Sequence, residues 1–280
     1  MTEEHGTIEV FSSGRLTVAD KLRSTVPDRS PTHVGEFTMT DRGKPVIIVS
    51  KCPPDLLARL RWAALEYKMT TTLRATGTRN RSAVFGFASR NAVLRREGCR
   101  ECGGSIDSPG PHSVLTDAAH VFSEMLQEFY PERSASDRLI VDSQVLPEWH
   151  MAGSQWTSGV LNETSQLPYH YDANNLPTWN AMVVIRRGTR GGHFSVPEYG
   201  VVLDCQDGDV VFMPAYKTLH GVTPIRKVDD DGYRYTAVYY SVARMRECLH
   251  PDEEMAQARF ARSEREDGLL ERQRNSGLMT

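Results

Sequence analysis

The stretch Leu167-Pro168-Tyr169-His170-Tyr171-Asp172-Ala173-Asn174-Asn175 decides how the rest of the chain is read. In an extended strand, residues i and i+2 project to one face, so His170 and Asp172 can enter the same cavity. A second histidine follows in Leu219-His220-Gly221-Val222-Thr223-Pro224. A strand-like run, Tyr233-Arg234-Tyr235-Thr236-Ala237-Val238-Tyr239-Tyr240-Ser241, closes the region. Two histidines and a carboxylate in this order make a facial triad, which leaves three coordination positions of Fe(II) open. Arg234, one or two strands further on, offers a guanidinium fork that can hold a dicarboxylate by paired hydrogen bonds. A single His-x-Asp is common as a turn or strand-edge pair. Here three ligands and an arginine fall in order on β-like segments with turns between them, and that agreement favours the metal reading.

Working outward, strand-like segments surround the motif: Trp156–Asn162 before it, then Asn180–Arg186, Gly192–Val196, Val201–Leu203, Asp209–Met213 and Arg234–Val242. Gly188, Gly191, Gly192, Pro197, Gly200, Gly208 and Pro214 punctuate them. Many short strands at even spacing predict a closed or double-sheet β architecture over residues 146–243. The chain before it reads as mixed. Residues 1–35 are polar and irregular, a loosely held arm with a short helix near Thr17–Arg23. Glu36–Thr40 and Pro45–Ser50 form a hairpin around Asp41-Arg42-Gly43. Pro53-Pro54 starts a helix that Leu56, Leu57, Leu60, Ala64 and Leu65 carry to about Met69. Ser113–Tyr130 is an amphipathic helix ended by Pro131, and Leu139–Val145 is expected to be a strand. Residues 36–145 are thus an α/β part packing on the core, and 244–280 a charged helix, roughly Pro251–Arg274, with a fraying tail. The fold class is α+β, with flanking helices.

Composition bounds the function. The chain has 280 residues and a formal net charge of −3, with apolar and charged fractions of an ordinary globular protein. No run of about 18 apolar residues exists, so no membrane span is expected. The polar, acidic N-terminus does not read as a secretory signal. Five cysteines, odd in number and without framework spacing, fit a reducing compartment and a cytoplasmic location. Cys99-Arg100-Glu101-Cys102 invites zinc, but a structural site needs four ligands. No second Cys-x-x-Cys follows, and His112, His120, Cys248 and His250 are loose candidates, so ordinary thiols are preferred. Arginine far outnumbers lysine, for which a GC-rich genome is the simple cause. Charge is uneven, however. Between Lys68 and Glu101 lie Lys68, Arg74, Arg79, Arg81, Arg90, Arg95, Arg96 and Arg100 against only Glu97 and Glu101. Such a segment either tracks phosphates or is a solvated surface.

At these residues the chain resembles a known group. His170-Tyr-Asp172-Ala-Asn-Asn175, His220-Gly-Val-Thr-Pro224 and Arg234-Tyr-Thr236-Ala-Val-Tyr-Tyr240 are similar to the TET/JBP DNA 5-methylpyrimidine dioxygenases, above all the short phage and bacterial members. Trp156–Asn162 and Gly191–Tyr199 carry the likeness too. It runs from about Trp156 to Ser241 and is faint before. The resemblance implies a double-stranded β-helix (jelly-roll) core, Fe(II) and 2-oxoglutarate with O2 as required partners, and oxidation of a base methyl group. It implies iron on His170, Asp172 and His220. It implies 2-oxoglutarate on Arg234, with Thr236 and Asn162 beside it, and the flipped base at Asn175 and Tyr240. Where the TET pattern has a base-contacting histidine after this tyrosine, the present chain has Val242. It also lacks the large cysteine-rich zinc region.

The partner implied is DNA containing a 5-methylpyrimidine. The preferred conversion is 5-methylcytosine to 5-hydroxymethylcytosine, with thymine left open. A methyl group inside a duplex reaches a buried metal only if the nucleotide is flipped, at a cost of a few kcal/mol. Arg79 and Arg81, within the basic segment, are the candidates for holding phosphates. Three rivals stand beside this reading. A 2-oxoglutarate oxygenase of a small molecule or peptide would share every metal and co-substrate residue. A non-catalytic cupin-like sensor would not need the full triad plus Arg234. AlkB-type demethylases have a second arginine six residues after the first, where this chain has Tyr240.

Overall fold

A computed structural model describes residues 5–13, 24–73, 79–91, 96–163 and 166–275. The expected helix near Thr17–Arg23 lies outside them. One large sheet forms the spine. Its strands, in spatial order, are β1 (Gly6–Glu9), β2 (Phe37–Asp41), β3 (Lys44–Lys51), β12 (Asp209–Met213), β8 (Asn180–Arg187), β15 (Tyr233–Tyr240), β7 (Ser158–Glu163), β5 (Arg79–Ala88) and β4 (Thr70–Leu73), with β6 (Arg100–Glu101) paired to β5. A smaller sheet of β10 (Phe194–Val196), β11 (Val201–Leu203) and β13 (Gly221–Val222) faces it, and β9 (Thr189–Gly191) pairs with β14 (Ile225–Lys227).

Alternation along the strands gives this sheet two cores. On β3, β8, β12 and β15, residues Ile48, Val183, Phe212 and Tyr239 point to one side. There they meet the helices α1 (Pro54–Glu66), α2 (Pro109–Phe129) and α3 (Pro131–Asp142). Helix α2 packs through Leu115, Ala118, Phe122 and Leu126, all fully buried at helical spacing. Residues one step along, Val49, Val184 and Val211, point to the other side and pack under the smaller sheet with Phe194 and Leu203. The result is the α+β double-stranded β-helix with flanking helices that the sequence predicts.

Several expectations need correction. Residues 6–9 of the supposed loose arm form β1, parallel to β2, with Ile8 packed on the inter-sheet core. Within 36–145 the helices α1 and α2 pack on the sheet through Leu60 and Phe122, and the strands extend that sheet at both ends. Leu139–Val145 is not a strand; the helix α3 runs through Asp142. Its anchor is polar, since buried Asp137 accepts the Trp179 N–H at 2.9 Å and pairs with Arg133, while Leu139 stays exposed. No apolar stripe announces such a helix. The hairpin β2–β3 does form, with Arg42 and Gly43 both at positive φ (54° and 73°), as a tight two-residue turn requires.

The cysteines also differ from expectation. Cys99 is disulfide-bonded to Cys248, and Cys52, Cys102 and Cys205 are buried free thiols. The bond joins the segment before β6 to the start of the C-terminal helix α4 (Pro251–Asn275), inside a cluster that includes Trp149, Leu176 and Met245. Cys102 does not join it in a zinc site. Among the described residues, no helix is long and apolar enough to cross a membrane.

Candidate active site

The His170 segment is not a regular strand. Pro168 has no N–H to give, and pairing narrows to one bridge in which His170 and His220 exchange backbone hydrogen bonds at 2.9 and 3.1 Å. That bridge sets the two imidazoles 4.3 Å apart, centroid to centroid. Each ring accepts no proton competition from its Nδ1 side: His170 Nδ1 donates to the Pro168 carbonyl at 2.8 Å and His220 Nδ1 to the Thr218 carbonyl at 2.9 Å. This fixes the tautomer and leaves both Nε2 lone pairs for a metal. Burial first, and then the neighbouring His170, push His220 down to about 4, so it is neutral at physiological pH.

Asp172 completes the set. Its Oδ1 lies 3.7 Å from His170 Nε2, and the ligand atoms of His170, Asp172 and His220 all fall within 4.8 Å of one another. The other oxygen, Oδ2, accepts from Asn180 Nδ2 at 2.9 Å. Asn180 was not visible as a site residue in the sequence; it opens β8 and points to the cavity because Ala181 points to the helices. Glu198 was missed likewise: it accepts from the Tyr171 hydroxyl at 3.1 Å and so braces the residue between the two ligands. Two imidazoles and a carboxylate at one end of an open cavity fit a divalent iron.

β15 carries the next group. Thr236, Val238 and Tyr240 alternate onto the cavity wall. Arg234 continues the same face one step deeper, is fully buried, and does not line the open cavity. Its Nη2 donates to the Gly192 carbonyl at 2.7 Å, and its Nε has no partner. Burial lowers its pKa to about 10, so it stays charged at neutral pH. Arg186, opposite it on β8, spends its fork on the carbonyls of Thr189, Gly191 and Cys205. The nearby Cys205 thiol is pushed up to about 12 by burial and is neutral. Arg234 is therefore a buried cation with no carboxylate partner among the described residues, an arrangement that an anion would compensate. Gly192, at φ +70°, makes room: a Cβ there would stand 2.6 Å from Arg234 Nε. Asn162 on β7 reaches Thr236 Oγ1 at 3.5 Å, so the co-substrate candidates adjoin.

The substrate candidates divide. Asn175 and Tyr240 line the same cavity of about 550 Å³ as the triad, and the Asn175 Nδ2 is buried without a partner. Arg81 is not at that wall. Ser82 and Val84 line the cavity, so Arg81 alternates to the opposite face, where it pairs with Glu163 at 2.9 Å. The side chain of Arg79 lies outside the described residues, as do Arg74 and Arg95.

The fold is a double-stranded β-helix, and the three side chains gathered in it are a donor set of the 2-His-1-carboxylate kind. No protein-family model matches the chain, and no curated protein sequence does. Solved structures do resemble it. The structure of NgTET1 in complex with 5mC DNA matches with a TM-score of 0.56 at 14% identity, over 75% of this chain and 78% of that one. A 2OG-Fe(II) oxygenase family oxidoreductase from Burkholderia pseudomallei gives 0.44 at 15%, covering 70% and 85%. A Pseudomonas putida prolyl-4-hydroxylase gives 0.46 at 10%, covering 70% and 92%. At these identities the likeness is one of fold.

Proposed function

We propose that the chain is an Fe(II)- and 2-oxoglutarate-dependent dioxygenase that hydroxylates the methyl group of a 5-methylpyrimidine in DNA, converting 5-methylcytosine to 5-hydroxymethylcytosine on a flipped base. The observation that carries this reading is a single cavity lined by both the triad and the unpartnered amide of Asn175. Its volume lies within the range of roughly 300–1,000 Å³ usual for small-molecule sites, room for one base beside a co-substrate.

His170, Asp172 and His220 would hold iron, and Arg234, with Thr236 and Asn162, would hold 2-oxoglutarate. Bound together with oxygen, they supply the hydroxylation of an unactivated C–H bond, with 2-oxoglutarate leaving as succinate and carbon dioxide. The protein's part is position. Arg234 offers an unspent Nε–H to a carboxylate, which fixes the co-substrate from the deep end. Asn180 holds Asp172 so that its other oxygen faces the two imidazoles. Asn175 offers an N–H to the edge of a base, and Tyr240 stands on the wall beside it. The NgTET1 structure contains 5mC DNA, and the motif resemblance points to the same substrate class.

The small-molecule or peptide alternative draws support from one observation: the basic segment is largely engaged within the protein, Arg81 with Glu163 and Arg90 with Glu254. Succinate formation separates the two. With Fe(II) and 2-oxoglutarate present, a duplex carrying 5-methylcytosine should accelerate succinate release over the same unmethylated duplex. Equal rates with methylated DNA, unmethylated DNA and no DNA would remove the DNA reading.

A further inference from the structure

The basic segment drew attention in the sequence, but the folded chain has mostly spent it. Lys68 pairs with Asp107 at 3.2 Å and Arg81 with Glu163. Arg90 reaches Glu254 and the Glu247 carbonyl, and Arg96 donates to the Ser89 carbonyl at 2.9 Å. Of its described side chains only Arg100 is exposed without an ion pair. Cations engaged in this way hold the C-terminal helix and the sheet edge together. They offer little to a polyanion.

Uncommitted cations stand elsewhere, two to four residues along the chain from the cavity lining. The loop from Asp172 to Asn175 is held on both sides by backbone. On one side, the Asp172 N–H donates to the Ala215 carbonyl at 3.1 Å. On the other, Asn175 bridges Val242, and the Ala243 N–H donates to the Asn174 carbonyl at 2.9 Å. Ala215 and Val242 both line the cavity. Two residues past Ala215 is Lys217, exposed, its ammonium 5.8 Å from the centroid of the Tyr216 ring and without an ion-pair partner among the described residues. Two residues past Val242 is Arg244, and two further Arg246; both are exposed and neither has an ion-pair partner among the described residues. The single turn Ala243–Glu247 that carries them is fixed at its centre by Met245, fully buried in the cluster around Cys99, Trp149 and Leu176. With Met245 inward, its neighbours on either side face solvent. The one acid of that turn is Glu247, beside Arg246.

We infer that Lys217, Arg244 and Arg246 grip the phosphates on either side of the nucleotide that enters the cavity, and that the 79–100 segment does not. This rests on the DNA reading above. A flipped nucleotide passes the loop that bears Asn175, so its flanking phosphates must lie along the two rims of that loop. Arginine forks there suit phosphate oxygens bidentately, and lysine supplies a point charge. A rim with fixed backbone and free cations binds a polyanion at little ordering cost.

The test is the salt dependence of binding a 5-methylcytosine duplex, by fluorescence anisotropy from low to moderate KCl. Each lost phosphate contact reduces the log–log slope by about 0.9 on duplex DNA. Arg244→Ala with Arg246→Ala should therefore flatten the slope by about 1.8, and Lys217→Ala alone by about 0.9. Arg81→Ala should leave it at the wild-type value. Arg244→Lys with Arg246→Lys should restore the slope, which excludes misfolding as the cause of its loss. A wild-type slope in the Arg244→Ala, Arg246→Ala variant, or an equal flattening by Arg81→Ala, would overturn the rim assignment while leaving DNA as substrate. Absence of duplex binding by the wild-type protein at low salt would instead overturn the DNA reading, and the rim with it.

Discussion

Both histidines of the proposed metal triad lock themselves on backbone carbonyls two residues upstream, whereas Asp172 depends on a side chain, Asn180. That makes Asn180 the most sensitive supporting residue of the site. Partners of this kind, when removed, cost about 10- to 100-fold in metal affinity. Asn180→Ala should accordingly weaken Co(II) binding to the iron-free protein by that factor in a calorimetric titration, with the melting temperature little changed. Full affinity would mean that Asp172 is held by other means. Arg234 is the second sensitive point. A charge-assisted hydrogen bond contributes about 1.5–3 kcal/mol, so Arg234→Ala should raise the 2-oxoglutarate concentration required at least about tenfold while Co(II) binding survives. An unchanged 2-oxoglutarate titration would place its carboxylate on another residue. The triad residues that the fold brings together, and Arg234 on the strand beside them, could be singled out in the sequence because chemistry restricts their residue types. Asn180 and Glu198 were not, since an asparagine at the head of a strand and a glutamate in a turn look like ordinary polar punctuation until the fold brings them against Asp172 and Tyr171.

Strand β15 shows what periodicity can and cannot tell. Its two faces are both informative: Tyr233, Tyr235, Ala237 and Tyr239 meet the helices, and Arg234, Thr236, Val238 and Tyr240 follow the cavity side. Strands β3, β8 and β12 were equally readable, being apolar and bounded by turn residues. β4 and β5 were not. β4 closes the sheet and β5 pairs it to β7; both open on arginine, threonine or asparagine, so no apolar alternation marks where they begin. α3 failed for the opposite reason: Leu139-Ile140-Val141 has the β-branched look of a strand, while the residues it buries, Ser134, Asp137 and Val141, include two polar ones. The disulfide between Cys99 and Cys248 joins residues far apart in sequence and has no local signal. Thiol titration checks it. Burial raises Cys52, Cys102 and Cys205 to about 12, so at pH 8 only about one thiol in ten thousand is the reactive thiolate. Native protein should show no fast-reacting thiol, denatured protein three without reductant, and five after reduction. Five thiols without reductant would put Cys99 and Cys248 back among the free cysteines.

At the scale of the molecule, the main sheet does two jobs with one set of strands. One face is sealed by helices and makes the protein stable; the other is closed over by the small sheet except at the cavity. The N-terminal part is continuous with the core, since β1, β2 and β3 extend that sheet on one side and β5 and β4 on the other. A formal net charge of −3 gives no hint of a nucleic-acid partner, yet Lys217, Arg244 and Arg246 stand exposed within two to four residues of the cavity lining. The proposed function stands on the oxidation of a base methyl group at the triad. Its most direct test is to incubate the protein with Fe(II), 2-oxoglutarate, air and a 5-methylcytosine duplex, hydrolyse the DNA, and measure nucleosides by mass spectrometry. 5-Hydroxymethylcytosine should rise as 5-methylcytosine falls, with succinate formed in step, and His170→Ala, Asp172→Ala and His220→Ala should each give none. Unchanged 5-methylcytosine with an iron-loaded protein that still consumes 2-oxoglutarate would contradict it.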